Sequence, residues 1–342
     1  MQRSRHLGPT SQKISSIGLG CWQFAGDSGR LSGHWKPIPE TVADAIVSIS
    51  LAQGVNWFDS AEAYGDGYSE LTLARALSRA DANQGEIVIA TKWWPRERNA
   101  AHMLESFTAR EACLGGWPVG LYQIHHPDSE STLEEEISVL SRLVESGKVK
   151  AIGLCNYSAQ ALDQACRIAT SLGTPIASIQ ARYSLMNRSL ELNGVLDVAD
   201  KHNLTVIAWA PLEQGLLTGR LHHEPKSIDA LSKGRRDALG PDLERLEQTR
   251  PLIQMLHEIA QHHDATPAQV ALSWLINFHG NRVVAIPGAS TPVQAEENAG
   301  AINLHLTASE LSDLDKITRP SFALRGKARI RKVLRITKGM FR

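Results

Sequence analysis

The chain has 342 residues, 42% hydrophobic and 21% charged, which is enough apolar side chain for a full core and enough charge for solubility. Thirty-six lysines and arginines balance thirty-six aspartates and glutamates. A formal net charge of zero argues against nucleic acid as the main partner, since phosphate binding demands a basic excess. Met1 to Gly20 lacks the apolar run of a signal peptide, and no later stretch is apolar over a bilayer's width. Cys21, Cys113, Cys155 and Cys166 lie far apart with no C-x-x-C pair, so neither a zinc site nor a disulfide framework is suggested. The expectation is a soluble, cytoplasmic protein without a metal.

Short apolar runs then alternate with longer amphipathic ones. Ile17 to Gly20 reads as a strand and Thr41 to Gln53 as a helix. Val55 to Asp59 is a strand ending on a carboxylate, and Tyr68 to Ser78 follows with leucines at 71, 73 and 77, a helical spacing. Glu86 to Thr91 pairs with the helix Asn99 to Leu114. Val119 to His125 pairs with Thr132 to Gly147, where Glu134 to Glu136 sit in the first turn and Gly147 at the C-terminal end. Val149 to Leu154 precedes Ala159 to Leu172, and Ala177 to Gln180 precedes Leu190 to His202. Leu204 to Trp209 leads to the helices Leu243 to His262 and Pro267 to Phe278, and Val283 to Ile286 leads to Pro292 to Ala301.

Eight strand-and-helix pairs predict an α/β fold, a closed (β/α)8 TIM barrel forming one domain over residues 1–318. An open doubly wound sheet is the rival, but no G-x-G-x-x-G follows the first strand. Two stretches break the rhythm: Ala25 to Pro39 after the first strand, and the charged His222 to Pro241 after the seventh. In a barrel both belong to the C-terminal face, where active sites are built, as lids or pocket walls. Residues 319–342 read as a basic tail, since nine basic residues and no acid follow Lys316. Ile330, Val333, Leu334 and Ile336 interleave with Arg and Lys there, an amphipathic pattern, although a solvated or locally docked tail is the plainer reading.

The polar residues at strand ends carry the chemistry. Asp59 ends the second predicted strand, Lys92 the third and His125 the fourth, and Tyr64 lies in the loop after the second. Parallel strands of a barrel bring their C-terminal ends to one rim, so these four should converge. A free phenol has a pKa near about 10, too high for an efficient acid at neutral pH. An adjacent ammonium lowers that value, and a carboxylate keeps the ammonium charged. Each residue alone has an ordinary reading as a cap, a solvated rim charge or a turn residue; the conjunction does not.

At these residues the chain resembles the aldo-keto reductase superfamily, from Arg5 to Thr318. Phe58 to Gly65 (FDSAEAYG) resembles the F-D-T-A-x-x-Y-G signature, Ala90-Thr91-Lys92 the A-T-K strand end, and Leu121 to His125 (LYQIH) the D-L-Y-Q-I-H strand. The resemblance implies that Tyr64 is the general acid, Lys92 lowers its pKa, Asp59 pairs with Lys92, and His125 orients the carbonyl. It also implies an NADPH site. Asn156 and Gln180 would hold the nicotinamide amide, and Trp209 would stack on the ring where a Tyr is common. Pro211, Leu212, Gly215, Leu217 and Arg220 would line the pyrophosphate crossing. Gly288, Ser290, Gln294, Glu297 and Asn298 would hold the adenosine end, with Trp22 also at the cofactor. Trp93, His126 and Tyr157 are the expected substrate-pocket walls, with Trp22 and Trp94 as further aromatic candidates.

The chain departs from the family pattern in places. Cys155 replaces a usual Ser, and His126 stands where Trp is frequent. Ser290 and Gln294 occupy positions where relatives often place Arg, the natural ligand of a 2′-phosphate, so NADH is also admissible unless Arg220 or the tail supplies charge. A small-molecule carbonyl, such as an aldehyde, quinone or cyclic ketone, is the expected partner; oligomeric state is not legible. Two other readings compete: a regulatory NADPH-binding protein like the potassium-channel β subunits, which share fold and motifs, and a Schiff-base isomerase or aldolase using Lys92. The carboxylate partner of Lys92 counts against the last.

Overall fold

The structure, a computed structural model, describes residues 4–239 and 243–319. It opens with an antiparallel hairpin, β1 (Ser4–His6) and β2 (Lys13–Ser15). The repeating unit then begins with β3 (Leu19–Gly20), α1 (Glu40–Ala52), β4 (Trp57–Asp59), α2 (Tyr68–Arg79), β5 (Val88–Trp93) and α3 (Ala101–Cys113). It continues through β6 (Val119–Ile124), α4 (Leu133–Glu145), β7 (Ile152–Cys155), α5 (Ala159–Ser171), β8 (Ser178–Arg182), α6 (Val195–Lys201) and β9 (Thr205–Trp209). Four helices follow: α7 (Arg220–His223), α8 (Lys233–Leu239), α9 (Leu243–His262) and α10 (Pro267–Asn277). β10 (Val283–Ala285), α11 (Pro292–Gly300) and α12 (Ala308–Thr318) complete the described chain.

β3 to β10 pair in parallel with their sequence neighbours, and the sheet closes on itself. Ile17 meets Ala285 and Gly20 meets Gly288 in parallel bridges, with Gly18 N–H donating to Ala285 O at 2.8 Å. The (β/α)8 barrel is therefore as the alternation predicts. Strand periodicity divides the core into two layers. Trp57, Leu121, Ile207 and Val284 fill the barrel interior, joined by Leu7 and Ile14 of the hairpin, which plugs the N-terminal end. Phe58, Ile89, Tyr122, Ile152 and Val206 face outward into the helix layer. Among the described residues, three helices begin with reciprocal capping boxes, Thr132 with Glu135, Thr266 with Gln269 and Thr307 with Glu310, which satisfy backbone N–H groups that the helices leave free.

The structure differs from the sequence reading in five places. The hairpin and α12 were not expected. The helix expected over Leu190 to His202 shrinks to α6, because Gly194 at φ 80 breaks the run. The charged stretch after β9 holds α7 and α8, packed by Leu216, Leu221, Leu231, Leu239 and Leu246 into a small apolar cluster of their own. β5 runs on to Trp93, past the expected end at Thr91, so Lys92 lies within the strand. Pro241 and, apart from Arg319, the expected basic tail lie outside the described residues.

Candidate active site

Asp59 and Lys92 face each other at the C-terminal end of the barrel, on β4 and β5, and both are buried. The Lys92 ammonium donates to the Asp59 carboxylate and, at 2.7 Å, to the carbonyl of Ser60. The second carboxylate oxygen accepts from the amides of Gln180 (2.9 Å) and Gln123 (3.2 Å). Tyr64 lies directly over this pair, its ring centre 5.0 Å from the lysine nitrogen. His125, just past β6, meets the Tyr64 ring edge-on at 5.8 Å. The four residues expected to converge do so.

The loop carrying Tyr64 is fixed from several sides. Ser60 donates to Ser69 at 2.9 Å, which donates to the carbonyl of Cys21 at 2.7 Å. Glu62 accepts from the backbone of Trp94 and from Ser106 and Arg98. Gly65 turns the chain at φ 66, where a Cβ would stand 2.1 Å from the carbonyl of Ala25, so only glycine fits. Trp22 stacks on the outer face of Tyr64 at 5.7 Å.

Burial and charge oppose each other at the phenol. Desolvation wins and pushes Tyr64 up to about 12, although Lys92 pulls it down. Lys92 acts in the expected direction, moderating a pKa that the apolar surroundings raise. Burial pulls the Lys92 ammonium down, yet Asp59 and Tyr64 together lift its pKa above the ordinary value. A lysine held charged in this way opposes the Schiff-base reading, which needs a free amine. Burial, then His126 and Lys92, keeps His125 well below its ordinary range, so its imidazole is neutral at pH 7. His126, stacked on it at 4.9 Å, is lowered to about 4, chiefly by burial.

A cavity of about 520 Å³ runs from this cluster across the rim. Asp59, Tyr64, His125, His126 and Trp22 line its inner end. Its lining also takes in Asn156, Gln180, Trp209, Pro211, Leu212, Gly215 and Arg220, and, before and within α11, Gly288, Ser290, Gln294, Glu297 and Asn298. Asn156, at φ 63, donates to the carbonyl of His125 and accepts from the Trp209 indole at 3.0 Å. Ser290 N–H donates to the Gln294 side chain at 2.8 Å.

Five expected residues, Trp94 among them, lie outside this lining. Lys92 sits behind Tyr64, and the Leu217 side chain is packed in the core. Trp93 and Tyr157 are corrections to the expected pocket wall. Because Lys92 points into the barrel, Trp93 next to it points outward into the helix layer, fully buried beneath Arg98. Tyr157 is buried too, its hydroxyl donating to Glu136 at 3.1 Å. Trp94 packs edge-on over both His125 and His126 at 5.3 Å.

The residue reading missed Gln23, Trp35, Gln214, Ser232 and Arg235, all in the lining. Four of the five lie in or beside the two long loops read as pocket walls, and those loops meet over the cavity. His34 and Gln214 are in hydrogen-bond contact at 3.2 Å, and Ser232 donates to the carbonyl of His34. Arg235 lies over the Trp35 ring at 4.6 Å and donates to the carbonyl of Gln214 at 2.6 Å. Among the described residues no carboxylate pairs with Arg235, and burial, then Arg220, lowers its pKa to about 10.

A closed parallel barrel with an acid, ammonium, phenol and imidazole at one rim, beside an elongated cavity, defines a class of oxidoreductase architecture that comparison with known proteins places. The aldo/keto reductase family model matches residues 16–319, and the chain belongs to that family. It is 37% identical over 315 residues to an uncharacterized oxidoreductase of Mycobacterium tuberculosis, covering 90% of this chain and 91% of that one. It is 27% identical over 319 residues to a probable aldo-keto reductase of Glycine max, covering 90% and 86% respectively. A thermostable aldo-keto reductase solved in complex with the inhibitor epalrestat superposes with a TM-score of 0.72 at 27% identity, covering 93% of this chain and all of that one.

The depressed histidine pKa has a measurable consequence. A His126 lowered from 6.5 to about 4 contributes stability that is complete above pH 6.5 and lost as pH falls toward 4, because only the unfolded state takes up the proton in that window. Denaturant titrations at pH 7 and pH 5 should show wild type losing more stability on acidification than His126→Gln. Equal losses would show that His126 titrates normally in the fold.

Proposed function

We propose that this oxidoreductase reduces aldehydes or ketones to alcohols with NADPH, Tyr64 serving as the general acid. The observation that supports this most is the phenol lying at once on the cavity wall and over a buried Lys92–Asp59 pair. The residues present fit the dinucleotide. The cavity lining combines an aromatic face at Trp209, amides at Asn156 and Gln180, and the cationic side chains of Lys36, Arg220 and Arg235. Trp35 Nε1 and Arg235 Nε are buried donors with no acceptor among the described residues, as expected where oxygen-rich groups belong.

When bound, the nicotinamide supplies the hydride; no metal is invoked. The chain supplies the rest. Tyr64 holds its proton at Oη and gives it up as charge develops on the substrate oxygen, and Lys92 stabilises the phenolate left behind. A neutral His125 donates a hydrogen bond that fixes the direction of the carbonyl. Trp22, Leu31 and His126 give this end of the cavity an apolar, aromatic wall that excludes water from the developing charge. Asp59 keeps Lys92 charged and in place.

NADPH preference rests on Arg220 and Arg235, which supply the positive charge that Ser290 and Gln294 lack. A guanidinium without a carboxylate partner suits a 2′-phosphate better than a ribose hydroxyl.

Tyr64→Phe should lower kcat by at least about 10²-fold while the NADPH Kd changes less than about twofold, read by stopped-flow reduction of an aldehyde panel and fluorescence titration. Near-wild-type turnover on every responsive aldehyde would remove Tyr64 as the acid. Arg235→Gln should weaken NADPH by about tenfold or more and NADH by far less, since a hydrogen bond to a charged group contributes about 1.5–3 kcal/mol. Equal weakening of both cofactors would move Arg235 away from the 2′-phosphate.

A further inference from the structure

Among the described residues, the segment after β9 gathers several left-handed backbone conformations. Ala210 (φ 49), Glu213 (φ 48), Gln214 (φ 58) and Gly215 (φ 92) all take left-handed conformations within six residues. Three of the four have a Cβ, and such residues persist there only where their surroundings over-determine them. The over-determining group is Glu213. Its carboxylate is buried and accepts from Arg182 at 2.6 Å, Ser184 at 2.8 Å and Arg245 at 3.2 Å. Burial would raise its pKa, but Arg182 and Arg245 hold it below the ordinary value, so the group is ionised.

From this carboxylate two chains of contacts reach the cavity. Arg182, the last residue of β8, is held with its guanidinium 5.8 Å from the centre of the Trp209 ring. Trp209 in turn donates to Asn156, whose amide donates to the carbonyl of His125 at 3.2 Å. In the other direction Glu213 precedes Gln214, which contacts His34 through its side chain and Arg235 through its carbonyl. Neither Glu213 nor Arg182, Ser184 or Arg245 lines the cavity itself.

We propose that Glu213 is a positioning residue for cofactor binding: it sets the Trp209 ring through Arg182 and holds the left-handed crossing of residues 213–215 in its binding-competent path. The proposal rests on the cofactor reading above. A purely structural role would make Glu213 equivalent to any other well-paired, mostly buried carboxylate, and Glu191 is the comparison. It bonds Arg188 at 2.6 Å and lies beside Tyr183 and His279, and it is not among the residues that line the cavity.

The test uses the full chain and NADPH fluorescence titration, with kcat measured at saturating NADPH and thermal melting alongside. Glu213→Gln keeps the shape and removes the charge; its NADPH Kd should rise at least about tenfold, and kcat should fall by a smaller factor than Kd rises. Glu191→Gln should lower Tm with Kd within about twofold of wild type. Should Glu213→Gln fail to fold, Arg182→Lys keeps the charge and loses the planar fork over Trp209, and its Kd should rise at least about threefold. The proposal is overturned by an unchanged Kd in whichever variant folds, or by an equal Kd rise in Glu191→Gln. Wild type binding NADPH with Glu213→Gln unaltered defeats this proposal alone; wild type binding neither NADPH nor NADH defeats the cofactor reading, and this proposal with it.

Discussion

The arrangement of the rim depends on one buried ion pair. Lys92 and Asp59 are taken out of water together, a costly step unless both charges are fully bonded. They are: the ammonium also reaches the Ser60 carbonyl, and the carboxylate also takes the amides of Gln123 and Gln180. Those partners come from β4, β5, β6 and β8, so the pair ties together half the strands of the barrel at the end where the cavity opens. A slip in register of β4 or β5 would strand a charge, and one of β6 or β8 would cost the carboxylate a hydrogen bond, which gives the fold a reason to hold its strand ends in place.

The same pair sets the condition of the phenol above it. In a dry site an isolated tyrosine would be a very poor acid, because its anion has no solvent. A fixed ammonium beneath the ring acts mainly on that anion, so its effect grows as the proton leaves. The resting phenol at about 12 is consistent with this division of labour. In the proposed mechanism the proton is retained until charge appears on a bound oxygen, and the positive charge needed then is already oriented. The neutral state of His125 follows from the same dryness, and it lets the imidazole donate a hydrogen bond without adding a second charge.

What the sequence disclosed follows physical lines. The barrel strands were legible because they are buried on both faces and read as compact apolar runs between Gly and polar segments. Asp59, Lys92 and His125 were legible as polar residues ending such runs. Trp93 was misplaced although the information was present: strand alternation sends it outward once Lys92 points inward. Tyr157 was misplaced because residues leaving a strand obey no such period, and Asn156 turns left-handed just before it. The N-terminal hairpin has strands of three residues, too short for a pattern. By contrast, α12 carries a readable Thr307-to-Glu310 capping box, but it lies beyond the eight strand-and-helix pairs that the barrel requires. Arg235, Trp35 and Gln214 were out of reach for a different reason. Their role arises from contact between two loops some 180 or more positions apart, and nothing periodic records that.

The central claim is that the Lys92 charge is tolerated in the core only through Asp59 and acts only through Tyr64. Guanidinium unfolding of wild type, Asp59→Asn and the double variant Asp59→Asn/Lys92→Met tests it most directly, with aldehyde reduction followed on the same samples. The account predicts that Asp59→Asn loses about 3–5 kcal/mol, that the double variant regains most of that loss, and that neither reduces aldehydes at more than a small fraction of the wild-type rate. A single variant as stable as wild type, or a double variant that still turns over normally, would contradict it.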